Sequence, residues 1–355
     1  MKGKGMTRLE RIKGCLLGGA VGGALGAPVE LMEWAAIEAK FGAQGVQDFE
    51  PSYGITGAIT DDTQMMLFTA EGLLRAYVQG SNGHVCHVPS VIHQALLRWL
   101  MTQDYQPSLP VSGNGWLITE SALWSRRAPG KTNVSALKAS TQLGMRADNE
   151  SKGCGAVVRV APCAFFANAF DYAAESGRLT HGHPTAYLAA GLLADILQRL
   201  VDRGSSLEHA LTESLTKHSQ RPGMGEIITS LERVLFFYYE GYRPTPQRIA
   251  DFGGGWGAEE ALAIGLWCAL SADSFEQGVI SAVNHSGDSD STGLIVGHLL
   301  GIQYGPASIP ERWYKGLELR GVIEQVAEDI QRVPRDYCGN GGEFDQQIER
   351  AYPGH

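Results

Sequence analysis

Between Gly14 and Gly26 a glycine falls at every fourth position, at 14, 18, 22 and 26, with Gly19 and Gly23 beside them. Residues four apart stack on one face of an α-helix, so this spacing leaves one face as bare backbone. A folded chain gains from such a face only where a second helix comes unusually close. A helix is therefore predicted over 7–25, begun by the capping box Thr7-Arg8-Leu9-Glu10 and buried at the centre of the protein. It is too short for a membrane span, which needs about 20 apolar residues. Glu10, Arg11 and Lys13 inside it also argue against a signal peptide.

Apolar residues recur at helical spacing along the rest of the chain, most clearly at Leu67, Leu73, Leu74 and Tyr77 and at Leu188, Leu192, Leu193, Ile196 and Leu200. Strand-like alternation is scarce. Further helices are predicted over 61–78, 90–101, 116–124, 134–143, 156–167, 185–201, 206–218, 225–239, 259–270, 275–283, 291–302 and 317–330. The fold class is all-α. With 44% hydrophobic residues and no visible linker, 355 residues read as one domain over 7–335, with a short extension at 1–6 and a tail at 336–355.

A formal net charge of −9 argues against binding nucleic acid or an anionic membrane, which calls for a basic face. The six cysteines lack CxxC spacing and sit mostly in apolar runs, as expected of reduced, buried thiols in a cytoplasmic protein. His84, Cys86, His87 and His93 are too tightly spaced for a tetrahedral zinc site, and they read as a surface loop. The aromatic run Phe236 to Tyr239 covers every side of a helix and is assigned to packing.

The 45 glycines also gather in loops: 53–57, 112–115, 128–130, 152–155 and 252–257. Each alone would serve as a helix cap. Five together suggest the rim of a site where backbone comes close to a ligand.

Two acidic knots each precede an apolar helical run. In the first, Thr60 reads as an N-cap with Asp61 and Asp62 in the first helical turn. The second is Gly287-Asp288-Ser289-Asp290-Ser291-Thr292-Gly293. Asp288 and Asp290 lie two apart and can turn toward a common point with the Ser291 hydroxyl. Four carboxylates in one pocket would repel and raise one another's pKa unless cations neutralised them. Oxygen donors of this kind suit Mg²⁺ or Mn²⁺ better than zinc. Two ions about 3.5–4 Å apart would match four carboxylates.

In these motifs the chain resembles the ADP-ribosylglycohydrolase family. The resemblance is carried by Gly14 to Gly18 and Gly22 to Glu30, Thr60 to Met65, Arg127 to Gly130, Gly155 to Pro162, Leu179-Thr180-His181, and Gly287 to Gly293. It implies a single compact orthogonal bundle around a central binuclear cleft holding two Mg²⁺ or Mn²⁺, and hydrolysis of the bond between ADP-ribose and a protein side chain. Thr60, Asp61, Asp62, Asp288, Asp290 and Ser291 take the metal-ligand positions. Glu30 and Asp62 take the catalytic ones, as general base or as the group that orients the water. Ser151, Lys152, Gly153 and Cys154 sit where backbone wraps the diphosphate, and His181 where the ligand is touched. Gly115 and Trp256 lie in loops expected to border the distal ribose. On the residues alone, His181 and His183 could equally cap the following helix, and Trp256 could equally be core.

Two departures from the family pattern are visible. Residues 112–115 lack an acid that several members carry, and Cys154 replaces the usual asparagine, leaving phosphate contacts there to backbone amides. The expected substrate is an ADP-ribosylated protein, N-linked through arginine, with ADP-ribose as product. The alternatives are serine-linked or O-acetyl-ADP-ribose, or a protein that neutralises an ADP-ribosyltransferase toxin by occluding it.

Overall fold

The computed structural model describes residues 5–354, so most of the expected 1–6 extension lies outside the described residues. The elements in chain order are α1 (Arg8–Gly26), α2 (Trp34–Phe41), the hairpin β1 (Pro51–Ser52) and β2 (Ile55–Thr56), α3 (Asp61–Ser81), α4 (Val88–Thr102), α5 (Lys131–Ala139), α6 (Ala169–Arg178), α7 (Pro184–Arg203), α8 (Leu207–His218), α9 (Gly225–Tyr239), α10 (Pro246–Ile249), α11 (Ala258–Leu270), α12 (Phe275–Val283), α13 (Ser289–Tyr304), α14 (Glu311–Gly316), α15 (Arg320–Asp336) and α16 (Glu343–Ala351). The chain is all-α apart from that hairpin. No helix among the described residues is long and apolar enough to cross a membrane.

α1 forms the central element, and every residue from Gly14 to Gly26 is buried. Its bare face meets a second bare face. A Cβ placed on Gly14, Gly18 or Gly22 would collide with the carbonyls of Gly301, Gly297 and Gly293 of α13, and the reverse holds for each pair. The two helices therefore run antiparallel, glycine against glycine, one turn at a time. At Gly19 the space is taken by the ring of His298, whose Nδ1 donates to Cys15 O at 2.8 Å. This register brings the end of α1 beside the start of α13, which is where the second acidic knot stands.

α3 is held against α4 by Glu71, a fully buried carboxylate that accepts from Arg75 at 2.8 Å and Arg98 at 3.0 Å. Two arginines share this one acid, which leaves one positive charge in excess and Arg98 Nη2 without a partner.

Several predicted helices differ from those observed. Residues 116–124 form two 3₁₀ turns, Leu117–Thr119 and Ser121–Leu123. The 156–167 run is likewise 3₁₀, at Cys154–Ala156 and Ala161–Phe165. The cause is buried Arg159, which needs acceptors and takes them from Gly155 O, Ser176 O, Thr180 Oγ1 and Asn133 Oδ1. Helices α2, α6, α10, α14 and α16 lie outside the predicted spans. The 336–355 segment carries α16, whose Ile348 and the following Tyr352 are buried.

Candidate functional site

The glycine register places Glu30 one turn beyond α1, with its amide on Gly26 O at 3.0 Å. Single oxygens of Glu30, Asp288 and Asp290 all lie within 4.8 Å of one another. From the other side Asp62 joins them, its Oδ2 accepting from Ser291 Oγ at 3.0 Å. Asp61 completes the set and accepts from the Gly130 amide at 3.2 Å. Residues from four separate stretches of sequence thus share one acidic centre.

Thr60 corrects one expectation. It stands at the N-cap of α3 with extended backbone, but its hydroxyl makes no capping bond. Asp288, at the N-cap of α13, makes none either. Side chains that usually stabilise a helix start by about 1 kcal/mol have been turned away from that task. Thr60 Oγ1 and Asp290 Oδ1 are buried without a hydrogen-bond partner.

Burial pushes every one of these acids upward, and repulsion from neighbouring carboxylates adds to it at Glu30, Asp61, Asp62 and Asp288. Glu30 rises to about 8, mainly through burial and then through the charge of Asp290. Asp61, Asp62 and Asp288 lie well above the usual carboxylate range, with burial the largest cause and neighbouring carboxylates next. Burial raises Asp290 as well. Among the described residues, no lysine or arginine ranks with the largest contributions at these groups, although buried Arg159 feels the charge of Asp62. A donor set of carboxylates and hydroxyls with a stranded carboxylate oxygen fits hard divalent cations.

A cleft of about 540 Å³ opens over this centre, lined by Glu30, Asp61, Asp62, Asp288, Asp290 and Ser291. Its size is that of a small-molecule site. On one wall lie Gly153, Cys154 and Gly155, with His181 behind them. His181 is buried and bonded through Nδ1 to Thr180 Oγ1 at 2.8 Å, and burial lowers it to about 3, so it stays neutral. The cap of α7 is His183, which accepts from the Thr185 amide at 3.2 Å. Trp256, 44% exposed, stands at the rim.

The remaining site residues lie elsewhere. Lys152 projects outward and pairs with Glu226 at 2.5 Å. Ser151 lies behind the wall, where its Oγ accepts from the Gly153 amide at 3.2 Å. Cys154 N is bonded to Trp256 O at 3.0 Å. Two amides expected to hold phosphate are therefore engaged within the protein. Gly115 is not at the cleft at all: its left-handed backbone packs against Arg75 and Glu71. The Cys154 thiol instead meets the acids, donating to Asp288 Oδ2 at 2.8 Å. Burial and the charges of Asp288 and Asp62 keep it protonated.

Other contributors were not singled out by residue, although Tyr53 and Ala128 belong to the 53–57 and 128–130 loops expected at the rim. Leu31, Tyr53 and Ala128 all have positive φ, at 66°, 54° and 56°, a conformation that costs a side-chain-bearing residue of order 1–3 kcal/mol. Leu31 and Ala128 line the cleft, and the Tyr53 phenol feels the charges of Asp290, Glu30, Asp61 and Asp62. Tyr53 and Gly54 form the two-residue turn of the hairpin, a place normally given to Asn-Gly. Glu318 anchors two of the loops, accepting from the Ile59 amide at 3.0 Å and from Arg127 at 2.6 Å. Asn133 and Thr132 also line the cleft. The Pro129-Gly130 pair was a readable turn signal for this wall; Glu318 left none.

A family model described as ADP-ribosylglycohydrolase matches residues 4–339. An uncharacterised protein of Archaeoglobus fulgidus is 28% identical, over 90% of this chain and 96% of its own length. An ADP-ribosylarginine hydrolase Tri1 of Serratia proteamaculans is 24% identical, over 91% of this chain and 79% of that protein. Among solved structures, an ADP-ribosylglycohydrolase-related protein complex superposes with a TM-score of 0.63 at 26% identity, covering 92% of this chain and 98% of that one.

Proposed function

The chain belongs to the ADP-ribosylglycohydrolase family, and on that premise we propose that it is a divalent-metal-dependent hydrolase that frees ADP-ribose from a modified arginine side chain. Family membership makes it an ADP-ribosyl hydrolase. The observation that carries the finer reading is the convergence of Glu30, Asp288 and Asp290 with Asp61 and Asp62 in one buried cleft. The name of the Serratia relative supports arginine as the acceptor.

Thr60, Asp61, Asp62, Asp288, Asp290 and Ser291 would hold two Mg²⁺ or Mn²⁺. When bound, these cations supply Lewis acidity and cancel the repulsion among the acids. The protein's own part begins with charge. An anomeric centre that becomes oxocarbenium-like is stabilised by a ring of carboxylates, and an arginine leaving group, cationic in the ground state, is drawn to the same cleft. Ser291 donates to one oxygen of Asp62 and fixes its direction, leaving the other free to accept a proton from water. Glu30, its carboxyl raised by burial and then by the charge of Asp290, is placed at the same cleft to give a proton to the departing nitrogen. Trp256 and Leu31 at the rim cover the sugar from bulk solvent.

Purified protein supplied with Mg²⁺ or Mn²⁺ should release ADP-ribose from ADP-ribosylarginine faster than from serine-linked or O-acetyl-ADP-ribose. Release that persists undiminished in a chelator, or in an Asp61→Asn, Asp62→Asn variant, would overturn the metal-dependent reading. Preference for the serine linkage would overturn the arginine assignment alone.

A further inference from the structure

The packing of α3 on α4 leaves a positive charge unmatched, away from the acidic cleft. On α3, Glu71, Arg75 and Gln79 stand four apart, and on α4 Ser90, Gln94 and Arg98 do the same, so each helix presents one stripe. The two helices come close at Gly72, where an added Cβ would lie 2.7 Å from Ile92 Cα. That approach brings both arginines onto one acid. Glu71 Oε1 accepts from Nε and Nη2 of Arg75 at 3.1 and 2.8 Å, and its Oε2 accepts from Arg98 Nε at 3.0 Å. Arg75 finds further acceptors in Asn114 Oδ1 at 2.9 Å and Pro353 O at 3.3 Å. Arg98 has none for Nη2, although the residue is only 2% exposed.

A cavity of about 380 Å³ lies against these groups, within the size range of a small-molecule site. Both arginines line it, together with Ser90, Gln94 and His87, and no Asp or Glu is among its lining residues. In a chain of net charge −9 such a lining is selective for negative charge.

We propose that this cavity is a second binding site, which takes a small oxyanion, a phosphate or carboxylate group, on Arg98 Nη2 and the neighbouring donors of α4. It shares no lining residue with the acidic cleft, and it stands whether or not that cleft holds metal.

One carboxylate between two guanidiniums leaves one unit of positive charge to be matched. A guanidinium presents its donors as a planar fork that fits two oxygens of a phosphate or a carboxylate. Burial lowers the pKa of Arg98, Glu71 raises it in part, and Arg75 lowers it again. A buried, charged donor with no acceptor is costly, so an anion seated there offsets a cost that the protein alone carries. Further donors are at hand. Gln94 Nε2 gives one hydrogen to Pro110 O at 3.2 Å and keeps a second, and Ser90 Oγ lies 2.7 Å from His87 Nδ1, a pair that can turn a proton toward the cavity.

The test is calorimetric titration of the full chain with sodium phosphate and, separately, with sodium acetate at low ionic strength. Divalent cations are withheld, so that the five carboxylates of the cleft repel anions. The expected result is saturable one-to-one binding of at least one titrant, and the tighter of the two names the group. Affinity should fall about ten-fold or more in Arg98→Gln, which removes the fork. It should fall similarly in Gln94→Glu, which sets a carboxylate one turn before Arg98 to compete for the same donors. Should Arg98→Gln not fold, Gln94→Glu decides, because Gln94 is only half-buried and the change leaves the side chain the same size. No saturable binding of either anion would overturn the proposal, and so would binding that the variants leave unchanged.

Discussion

A Cβ on Gly18 would overlap the carbonyl oxygen of Gly297, and a Cβ on Gly297 would overlap that of Gly18. The contact is backbone on backbone in both directions, so no rotamer change can relieve a substitution. Gly18→Ala should cost about 3 kcal/mol or more, at the upper end of overpacking effects. Gly321→Ala on α15, where nothing lies within 4 Å of the added carbon, should be neutral or mildly stabilising. Chemical denaturation of the two variants measures the difference. Equal costs would show that the close approach is not tight in solution.

Stability without added metal should peak at intermediate pH. Glu30 is raised to about 8 in the folded state against 4.5 in the open chain, so the fold binds the extra proton, and that contribution is lost as pH rises between these values. His93 and His298 have the opposite sign. Burial lowers both to about 4 from 6.5, so their contribution is present above 6.5 and lost as pH falls toward 4. Melting temperature against pH should therefore fall on both sides. Adding Mn²⁺ should lift the alkaline side only, and a uniform lift would separate the metal from the carboxylates.

Asp290→Asn should abolish both hydrolysis and metal-induced stabilisation, because it removes charge from the carboxylate whose oxygen has no other partner. Its melting temperature without metal should rise, since one member of a repelling group becomes neutral. Calorimetry with and without Mn²⁺ separates the two effects.

Lys152 lies in the stretch expected at the diphosphate, yet its ammonium is turned to Glu226. Lys152→Ala should leave KM within about two-fold and stability essentially unchanged, as for other exposed pairs. A large rise in KM would mean that the side chain swings into the cleft when substrate arrives.

Tyr53 carries a left-handed backbone at the hairpin turn. Tyr53→Asn should stabilise the protein by roughly 1 kcal/mol by relieving strain, and lower kcat/KM by removing the phenol from the acids. A variant that gains stability without losing activity would assign the tyrosine to folding alone.

What could be read in the sequence follows how local the signal was. Glycines one turn apart announced α1, and the same spacing at Gly293, Gly297 and Gly301 named its partner, although only the first set was read that way. The acids of both knots were legible because they stand beside helix starts, and all of them reach one cleft. Thr60 stands at the N-cap of α3 as read, but its hydroxyl makes no capping bond, which nothing in the local sequence signals. Gly115 looked like its neighbours in the other glycine loops, but its left-handed conformation serves a contact with Arg75, 40 positions back. Buried Arg159 draws four acceptors from around it and so defeats the helix that periodicity predicted over 156–167. Glu318 binds the loops ahead of α3 and α5 from far along the chain, and no spacing rule reaches that distance.

The pairing of α1 with α13 also sets a timetable for synthesis. His298 and Cys15, which meet across it, are 283 positions apart. On a ribosome the bare face of α1 emerges early and waits, glycine-rich and poor in helix propensity, until its mate is made. A nascent chain halted before α13 therefore has neither its central helix pair nor Asp288 and Asp290, so partial products hold no working site. Activity arrives in one late step, when roughly the last fifth of the chain closes on the first helix.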